Sequence, residues 1–248
     1  MTRFKIVVEY DGTGLAGWQR QDNGPSVQEA LEAAAAKLAG APTEVVGAGR
    51  TDAGVHAKGQ VAHLDIDKTL SPDAVRDGLN FWLREAGIVK IVVLSAETVP
   101  DDFHARFSAK QRRYLYRILN RRVAPALDRE RVWWVAKPLD AMAMHYAAQV
   151  LVGKHDFTTF RATECQAPSP VKTLDTLGVI HVEDEVLVVA TARSFLHHQV
   201  RNMVGSLKLV GEGKWDINDL RGALAARDRT KGGPTAPAAG LALIEVFY

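Results

Sequence analysis

Hydrophobic and polar residues alternate at the start of the chain. Residues 3–10 (RFKIVVEY) alternate in this way and are rich in β-branched side chains, so they predict a strand. Aspartate, threonine and two glycines at 11–14 then interrupt the pattern. Ser26, with Glu29 three residues later, has the spacing of a helix capping box and predicts a helix over VQEALEAAAAKLA, which Gly40 ends. The chain therefore begins with a strand followed by a helix.

The same two kinds of pattern complete a larger motif. Residues 43–49 and 60–66 predict two strands, a helix follows from Pro72 to about Glu85, and residues 88–95 predict another strand. The resulting order is β-α-β-β-α-β. This is the order of the ferredoxin-like motif.

The second half of the chain repeats this order. The pattern predicts a strand, a helix, two strands, two helices and another strand at 111–120, 139–152, 173–182, 186–193, 197–210, 216–226 and 241–247. We therefore predict an α+β protein of two ferredoxin-like halves, residues 1–107 and 108–248. The halves are expected to form one extended antiparallel sheet with helices behind it and a central cleft. Such a sheet suits RNA, although topology alone does not fix function.

Composition limits the classes of function. A length of 248 residues suits two fused halves, and 47% hydrophobic with 24% charged residues is ordinary for a globular protein. The net charge of +2 is too small to indicate a nucleic-acid partner, so that inference depends on local basic clusters. Cys165 is the single cysteine and cannot form an internal disulfide. Because the start is not leader-like and no long apolar run is present, we expect a soluble, cytoplasmic protein without a membrane segment.

The sequence GAGRTDAGVHA at 47–57 raises a chemical question. Asp52 stands where a dinucleotide fingerprint would need its third glycine, and the chain has no P-loop motif. Several histidines could bind a metal, but no Cys-x-x-Cys or His-Glu-x-x-His spacing is present, so we predict no metal site. Two interpretations remain. Asp52 either caps a turn and pairs with Arg50, or acts on a substrate whose backbone the glycines let approach closely.

Two other segments, FHARFSAKQRRYLYRI and FLHHQVRNMVG, combine arginine, histidine and aromatic side chains. A strand in the first places Tyr114 and Tyr116 on one face, where tyrosines are more often core than catalytic. A helix over 197–210 places His197, Arg201 and Lys208 along one side. These segments therefore supply candidate partners for Asp52 without fixing their roles.

A run of basic residues accompanies the first of these segments. The candidates for contact with an RNA backbone are Lys110, Arg112, Arg113, Arg117, Arg121 and Arg122. The alternative is a solvated charged face, which explains many such runs. That alternative is weakened here because residues 104–127 contain no aspartate or glutamate.

Six blocks in order along the chain resemble the tRNA pseudouridine synthases of the TruA type. They are EYDGTGLAGWQRQ, GAGRTDAGVHAKGQVAH, PDDFHARFSAKQRRYLYRI, GKHDFTTFRA, FLHHQVRNMVGSL and PTAPAAGLALIEVFY. The resemblance therefore covers nearly the whole chain. One departure is Leu15, an aliphatic residue where the family usually has an aromatic, which bears on loop packing more than on chemistry.

The resemblance implies isomerisation of uridine to pseudouridine at nucleotides 38, 39 and 40 of the tRNA anticodon stem-loop, without cofactor or metal. It also implies a homodimer. Asp52 matches the catalytic aspartate of the family, and Arg50 matches the neighbouring arginine. Tyr114 matches the active-site tyrosine, and Arg201 matches the basic residue that pairs with the aspartate.

Two alternatives from other functional classes remain beside this one. A non-catalytic RNA-binding protein of the same topology would not need Arg50, Asp52, Tyr114 and Arg201 together. The activity or thermal stability of a metal hydrolase would change when a chelator is added.

Overall fold

The computed structural model describes residues 1–248 and divides them into two compact units. The first consists of Met1–Lys110 with Leu243–Tyr248, and the second of Gln111–Ala242. The sequence boundary at 107/108 assigned residues 243–248 to the second half, whereas they lie in the first unit. The last strand of the chain, Leu241–Phe247, neighbours the strand His56–Ile66 of the first unit. A Cβ added at Gly59 would lie 2.5 Å from the Ile244 carbonyl oxygen. Glycine at this position therefore permits the close backbone approach.

The first unit follows the predicted β-α-β-β-α-β order. Its elements are β1 (Thr2–Tyr10), α1 (Val27–Ala39), β2 (Val46–Gly47), β3 (His56–Ile66), α2 (Pro72–Glu85) and β4 (Ile91–Thr98). The strand order is β4-β1-β3, followed by β10 (Leu241–Phe247), and β2 pairs with β3. The pairs β1–β3, β1–β4 and β2–β3 are antiparallel.

Local signals explain the two helices of the first unit. The Ser26 hydroxyl accepts a hydrogen bond from the Glu29 N–H at 3.2 Å, and Gly40 ends α1 with a φ of 79°. The Ser71 hydroxyl caps α2, and Pro72 occupies its first turn. Both helices bury an apolar stripe, Leu31 of α1 being fully buried. Each such side chain contributes about 1.5–3 kcal/mol when removed from water.

The second unit is built on the strand order β5-β9-β8-β7. Its elements are β5 (Gln111–Leu119), β6 (Trp133–Trp134), α3 (Ala141–Ala148), β7 (Gly153–Asp156), β8 (Val171–Val182), β9 (Glu185–Ala192), α4 (Gln199–Gly211) and α5 (Ile217–Ala226). The pairs β5–β9, β8–β9 and β7–β8 are antiparallel, and β6 runs parallel to β5. Short 3-10 turns lie at Gln149–Leu151, Thr158–Phe160, Arg229–Lys231 and Ala238–Gly240.

The predicted α+β class, with mostly antiparallel strands and five α-helices, is confirmed. Strand 43–49 shortens to two residues, and β4 begins at Ile91 because Gly87, with a φ of 75°, forms a turn after α2. The sequence pattern did not predict β6 and β7. The central cleft stays a prediction. None of the helices combines the length and apolar character needed to cross a membrane.

One correction concerns the helix predicted over 197–210. His198 has a left-handed φ of 61°, so α4 begins only at Gln199. His197 therefore precedes the helix and does not share a helical face with Arg201 and Lys208.

Candidate active site

Asp52 lies on the loop between β2 and β3, which we call the Asp52 loop (residues 48–55). The Val55 N–H donates to the Asp52 carbonyl at 3.1 Å, and Gly54 has a φ of 77°, so residues 52–55 form a tight turn. Burial alternates along the loop. Thr51 and Val55 are buried, whereas Asp52 is partly exposed and Arg50 is exposed. The loop thus anchors itself through the buried residues and presents Arg50 and Asp52 nearer the surface.

Two polar side chains beneath the loop hold it in place. The Tyr10 hydroxyl is 2.7 Å from the Thr51 hydroxyl, and the Gln60 side-chain amide donates to the Gly49 carbonyl at 2.8 Å. Burial raises the pKa of Tyr10 to about 12, so its hydroxyl keeps its proton at neutral pH. Tyr10 and Gln60 therefore serve as fixed hydrogen-bonding supports on either side of Arg50.

The Asp52 loop also packs on residues 12–18, which precede α1. The Trp18 N–H donates to the Thr51 carbonyl at 3.1 Å, and the Gly54 N–H donates to the Leu15 carbonyl at 3.2 Å. Gly17 has a φ of 103°, and a Cβ placed there would lie 2.5 Å from the Thr51 carbonyl oxygen. Glycine is required at that position both by conformation and by space. Because Leu15 supports the loop through its carbonyl group, its aliphatic side chain does not remove this contact.

Histidines near the loop have structural partners. The Nδ1 atom of His56 accepts a hydrogen bond from the Gly12 N–H at 3.0 Å, so the Asp11 carboxylate, 3.2 Å away, does not meet a proton on that nitrogen. The Nδ1 atom of His63 accepts from the Ala105 N–H at 3.2 Å, and burial lowers the pKa of His63. Both rings therefore connect β3 to neighbouring loops through their Nδ1 atoms.

Arg50 is oriented by a chain of amide side chains. Its Nε–H donates to the Gln19 Oε1 atom at 3.1 Å, and Gln19 donates in turn to Gln28 at 2.8 Å. Gln28 also donates to the Val45 carbonyl at 3.1 Å. Arg50 is therefore held over α1 on an exposed surface, an orientation that suits contact with a large substrate.

In the second unit, the two predicted tyrosines of β5 have different environments. The Tyr116 side chain is fully buried, and its hydroxyl donates to the Pro237 carbonyl at 2.7 Å. Burial raises the pKa of Tyr116 well above the ordinary tyrosine value. Tyr114 is 9% exposed and meets Phe195 edge-to-face, with ring centroids 5.2 Å apart. Tyr116 is thus a core residue, while Phe195 orients the ring of Tyr114.

Arg201 lies in the first turn of α4 and is partly buried. Its Nε–H donates to the Ala236 carbonyl at 2.8 Å, and the Ala236 N–H donates to the Arg201 carbonyl at 3.2 Å. These reciprocal bonds tie residues 233–236 to the helix. The arginine therefore leaves the helix in a fixed direction.

Sequence reasoning missed a polar cluster around the buried Asn202, the residue after Arg201, which we call the Asn202 network. The Asn202 amide donates to the Phe160 carbonyl at 2.9 Å and accepts from the Thr235 hydroxyl at 2.7 Å and from Arg229 at 3.1 Å. Ser206 donates to the Asn202 carbonyl at 2.9 Å. An asparagine followed directly by the apolar pair Met203 and Val204 was the available signal, because a buried amide requires partners.

The six predicted backbone-binding residues differ in their surroundings. Lys110, Arg121 and Arg122 are exposed, and Arg113 is partly exposed. Arg112 is 8% exposed and donates to the Arg193 carbonyl, so its side chain is largely internal. Arg117 forms ion pairs with Glu185 at 2.6 Å and Asp128 at 3.1 Å. The acids that neutralise Arg117 come from outside residues 104–127, which explains why the local sequence concealed them.

Comparisons with known proteins identify the family of the chain. A family profile described as tRNA pseudouridine synthase matches residues 6–108 and 147–248, which include Arg50, Asp52 and Arg201 but not Tyr114. A tRNA pseudouridine synthase A of Afipia carboxidovorans is 62% identical over 248 residues and is covered completely, as is this chain. A protein of the same name from Paramagnetospirillum magneticum is 60% identical over 248 residues, with all of this chain and 96% of the relative covered. The chain belongs to the tRNA pseudouridine synthase family.

Proposed function

We propose that this chain isomerises uridine to pseudouridine at nucleotides 38, 39 and 40 of the tRNA anticodon stem-loop. Membership of the family supports the reaction. The single observation that carries the proposal is the partly exposed Asp52 on a loop that buried neighbours anchor on both sides. A carboxylate held in this way can contact a substrate without a change in the backbone conformation.

The reaction breaks the bond between ribose C1′ and uracil N1 and forms a bond between C1′ and C5. The proton lost from C5 is balanced by a proton gained at N1, so the product has the same composition as the substrate. No oxidant or reductant is needed. The site must instead retain the detached base and turn it over, and for this we propose a site without cofactor or metal.

Asp52 is the proposed catalytic residue. Its carboxylate acts either as a nucleophile on the sugar or as a base that removes a proton from it. In our proposal Arg201 pairs with Asp52, because an adjacent cation favours an ionised carboxylate and fixes its direction. Tyr114 supplies a flat face for uracil and a hydroxyl near C5. Arg50 holds the nucleotide after it leaves the stem, a step that costs a few kcal/mol.

The exposed basic residues are proposed to bind the RNA backbone. Lys110, Arg113, Arg121 and Arg122 have side chains that reach solvent. Arg112 is almost fully enclosed and Arg117 bridges Glu185 and Asp128, so we propose that these two support the strand instead. Arg121 also pairs with Asp184, at 3.4 Å, but on an exposed surface from which phosphate can reach it. Affinity should consequently fall as salt rises, because each phosphate contact releases counterions.

We further propose a cytoplasmic homodimer. A tRNA extends far beyond its anticodon stem-loop, so two copies offer contacts that one copy lacks. Light scattering at micromolar concentration tests this proposal, and an active monomer at every working concentration contradicts it.

Mapping pseudouridine in tRNA from cells with and without this protein tests the function. We expect pseudouridine to disappear at nucleotides 38, 39 and 40 and to return when the gene is restored. Pseudouridines elsewhere in the same tRNAs provide the internal control. Loss at another position, with 38, 39 and 40 unchanged, contradicts the proposed substrate.

A further inference from the structure

A short turn in the first unit presents an aromatic ring to solvent. The Phe107 side chain is 69% exposed, and its ring lies against His104, with centroids 4.3 Å apart and planes inclined by 37°. The Arg106 guanidinium carbon lies 5.6 Å from the Phe107 ring centroid. We call residues 104–108 the Phe107 turn. The turn therefore offers a planar ligand an exposed aromatic face with a guanidinium group beside it.

The Phe107 turn is closed by its own hydrogen bonds. The His104 N–H donates to the Ser108 hydroxyl at 3.0 Å, and the Ser108 N–H donates to the His104 carbonyl at 2.9 Å. The Arg106 and Phe107 N–H groups both approach the His104 Nδ1 atom, at 3.2 and 3.4 Å. The turn is therefore organised before any ligand arrives, which lowers the entropy lost on binding.

Two buried contacts fix the turn to the unit. The Ala105 N–H donates to His63 at 3.2 Å, and the Ala105 carbonyl accepts from the Tyr248 hydroxyl at 2.7 Å. The His63 and His104 rings also lie 4.9 Å apart. Phe107 is thus the outer ring of a stack that begins in the sheet.

The Phe107 turn contacts His63 near one end of β3, whereas the part of the Asp52 loop that carries Asp52 closes on Val55, beside the other end. His56 begins this strand and His63 carries the turn. At about 3.3 Å per residue, the strand between them spans roughly 23 Å. A ligand on Phe107 is therefore a different nucleotide from the one that Asp52 modifies.

The surroundings favour RNA over a second protein surface. From residue 95 to residue 122, Phe107 is the only large apolar side chain that is exposed, whereas protein interfaces use broader apolar patches. Arg106 supplies positive charge beside the ring, and Lys110, three residues after Phe107 in the sequence, is exposed. The acidic residues that precede the turn, Asp101 and Asp102, interact with Arg3, which offsets their negative charge. A flat ring with a neighbouring guanidinium is the combination that stacks an unpaired base and attracts its phosphate.

We propose that the Phe107 turn binds an unpaired base of the tRNA substrate, which stacks on the exposed face of Phe107. This inference rests on the proposed function, since it names a second contact with the same RNA. Bases inside a stem have both faces covered, so the ligand is a loop or terminal nucleotide. The turn thereby helps to align the RNA on the enzyme.

Binding of full-length tRNA to Phe107→Ala tests the proposal. Removing the ring should weaken binding about five- to hundredfold, the range for one base stacked on an aromatic side chain. The salt dependence should stay parallel to that of the parent protein, because no phosphate contact is lost. Phe107→Trp keeps a flat face and should retain affinity. Phe81→Ala provides the matched control, since Phe81 is also an exposed phenylalanine of the first unit, 47% exposed on α2.

A second arm identifies the base. Single abasic sites are placed at the unpaired positions of the tRNA, and each RNA is titrated with the parent protein and with Phe107→Ala. At one position the abasic RNA should bind the parent protein more weakly and bind Phe107→Ala with no further loss. Equal sensitivity of both proteins at every position overturns the stacking proposal.

Two further results separate this inference from its rivals. A change in the mass of Phe107→Ala by light scattering, with unchanged affinity per protomer, would assign the ring to a contact between copies and overturn the proposal. Pseudouridine formation is measured separately at saturating protein. A parent protein that binds tRNA but makes no pseudouridine contradicts the proposed function and leaves the stacking result interpretable.

Discussion

The Asp52 loop and the first turn of α4 hold their functional side chains by different means. The Asp52 loop rests on main-chain hydrogen bonds to residues 12–18 and on glycines that allow close approach. Arg201, by contrast, precedes the buried Asn202 in α4, whose amide group bonds to the Phe160 carbonyl and to the side chains of Arg229 and Thr235. The first arrangement is sensitive above all to added volume at its glycines, although the Tyr10 and Gln60 side chains also support the loop. The second arrangement depends on particular polar atoms. Removing one of these polar side chains should therefore destabilise it more than adding volume to a neighbouring residue.

The largest effect is expected from Asp52→Asn. The amide has nearly the shape of the carboxylate but can act neither as nucleophile nor as base, so turnover should fall about a thousandfold. Affinity for tRNA should change little. Single-turnover rates and filter binding on one anticodon-arm RNA measure both quantities, and exposed Asp22→Asn serves as control. Turnover within tenfold of the parent would remove Asp52 from the chemistry.

Arg201→Gln should have the next largest effect on turnover. Loss of the proposed partner of Asp52 should lower the single-turnover rate about a hundredfold through poorer orientation of the carboxylate. Affinity and its salt dependence should stay close to those of the parent. Arg122→Ala provides the contrast, because loss of a phosphate contact weakens binding and reduces the salt slope by about one. If Arg201→Gln shows the Arg122→Ala pattern instead, Arg201 is a backbone contact.

Asn202→Ala tests the side-chain network. It leaves the buried Phe160 carbonyl without its side-chain donor and removes the acceptor shared by Thr235 and Arg229, which should lower the free energy of unfolding by about 2–3 kcal/mol. Asn218→Ala on α5 is the matched control, because Asn218 is exposed and should cost less than about 0.5 kcal/mol. Urea denaturation measures both variants. Equal stabilities for the two variants would mean that the network does not stabilise the second unit.

Gly17→Ala tests the glycine-dependent loop in the same way. The added Cβ meets the Thr51 carbonyl oxygen, so unfolding free energy should fall by about 2 kcal/mol, with a loss of turnover. Gly14→Ala is the control, since Gly14 has a φ of 79° but no atom within 4 Å of the added Cβ. It should carry only the conformational cost of about 1 kcal/mol. No difference between the two variants would remove the argument from close packing.

Helices with local capping signals were predictable from the sequence. Ser26 and Gly40 bracket α1, and Ser71-Pro72 begins α2, because capping depends on residues within one turn. The start of α4 was less predictable. The left-handed His198 interrupts a helical pattern that periodicity alone extends to His197.

The candidate site divides in the same way. Asp52 and Arg50 were visible because they stand together in one loop sequence. Their supports were not, since Tyr10 and Thr51 lie 41 positions apart and meet only through folding. Arg117 was proposed for RNA because its neutralising acids are distant in sequence. Hydrogen bonds and ion pairs between residues far apart in the sequence therefore determine which candidate side chains are available to a substrate. Local composition does not show these contacts.

The position of Leu243–Tyr248 in the first unit has a consequence for synthesis on the ribosome. Residues 1–110 emerge first, but the strand beside β3 follows only after the whole second unit. At ordinary translation rates that interval lasts on the order of ten seconds. Throughout it the part of β3 that β10 later covers, outside its short pairing with β2, is an unpaired edge and a template for pairing with other chains. The nascent first unit therefore passes through a period of exposure to aggregation that ends when β10 arrives.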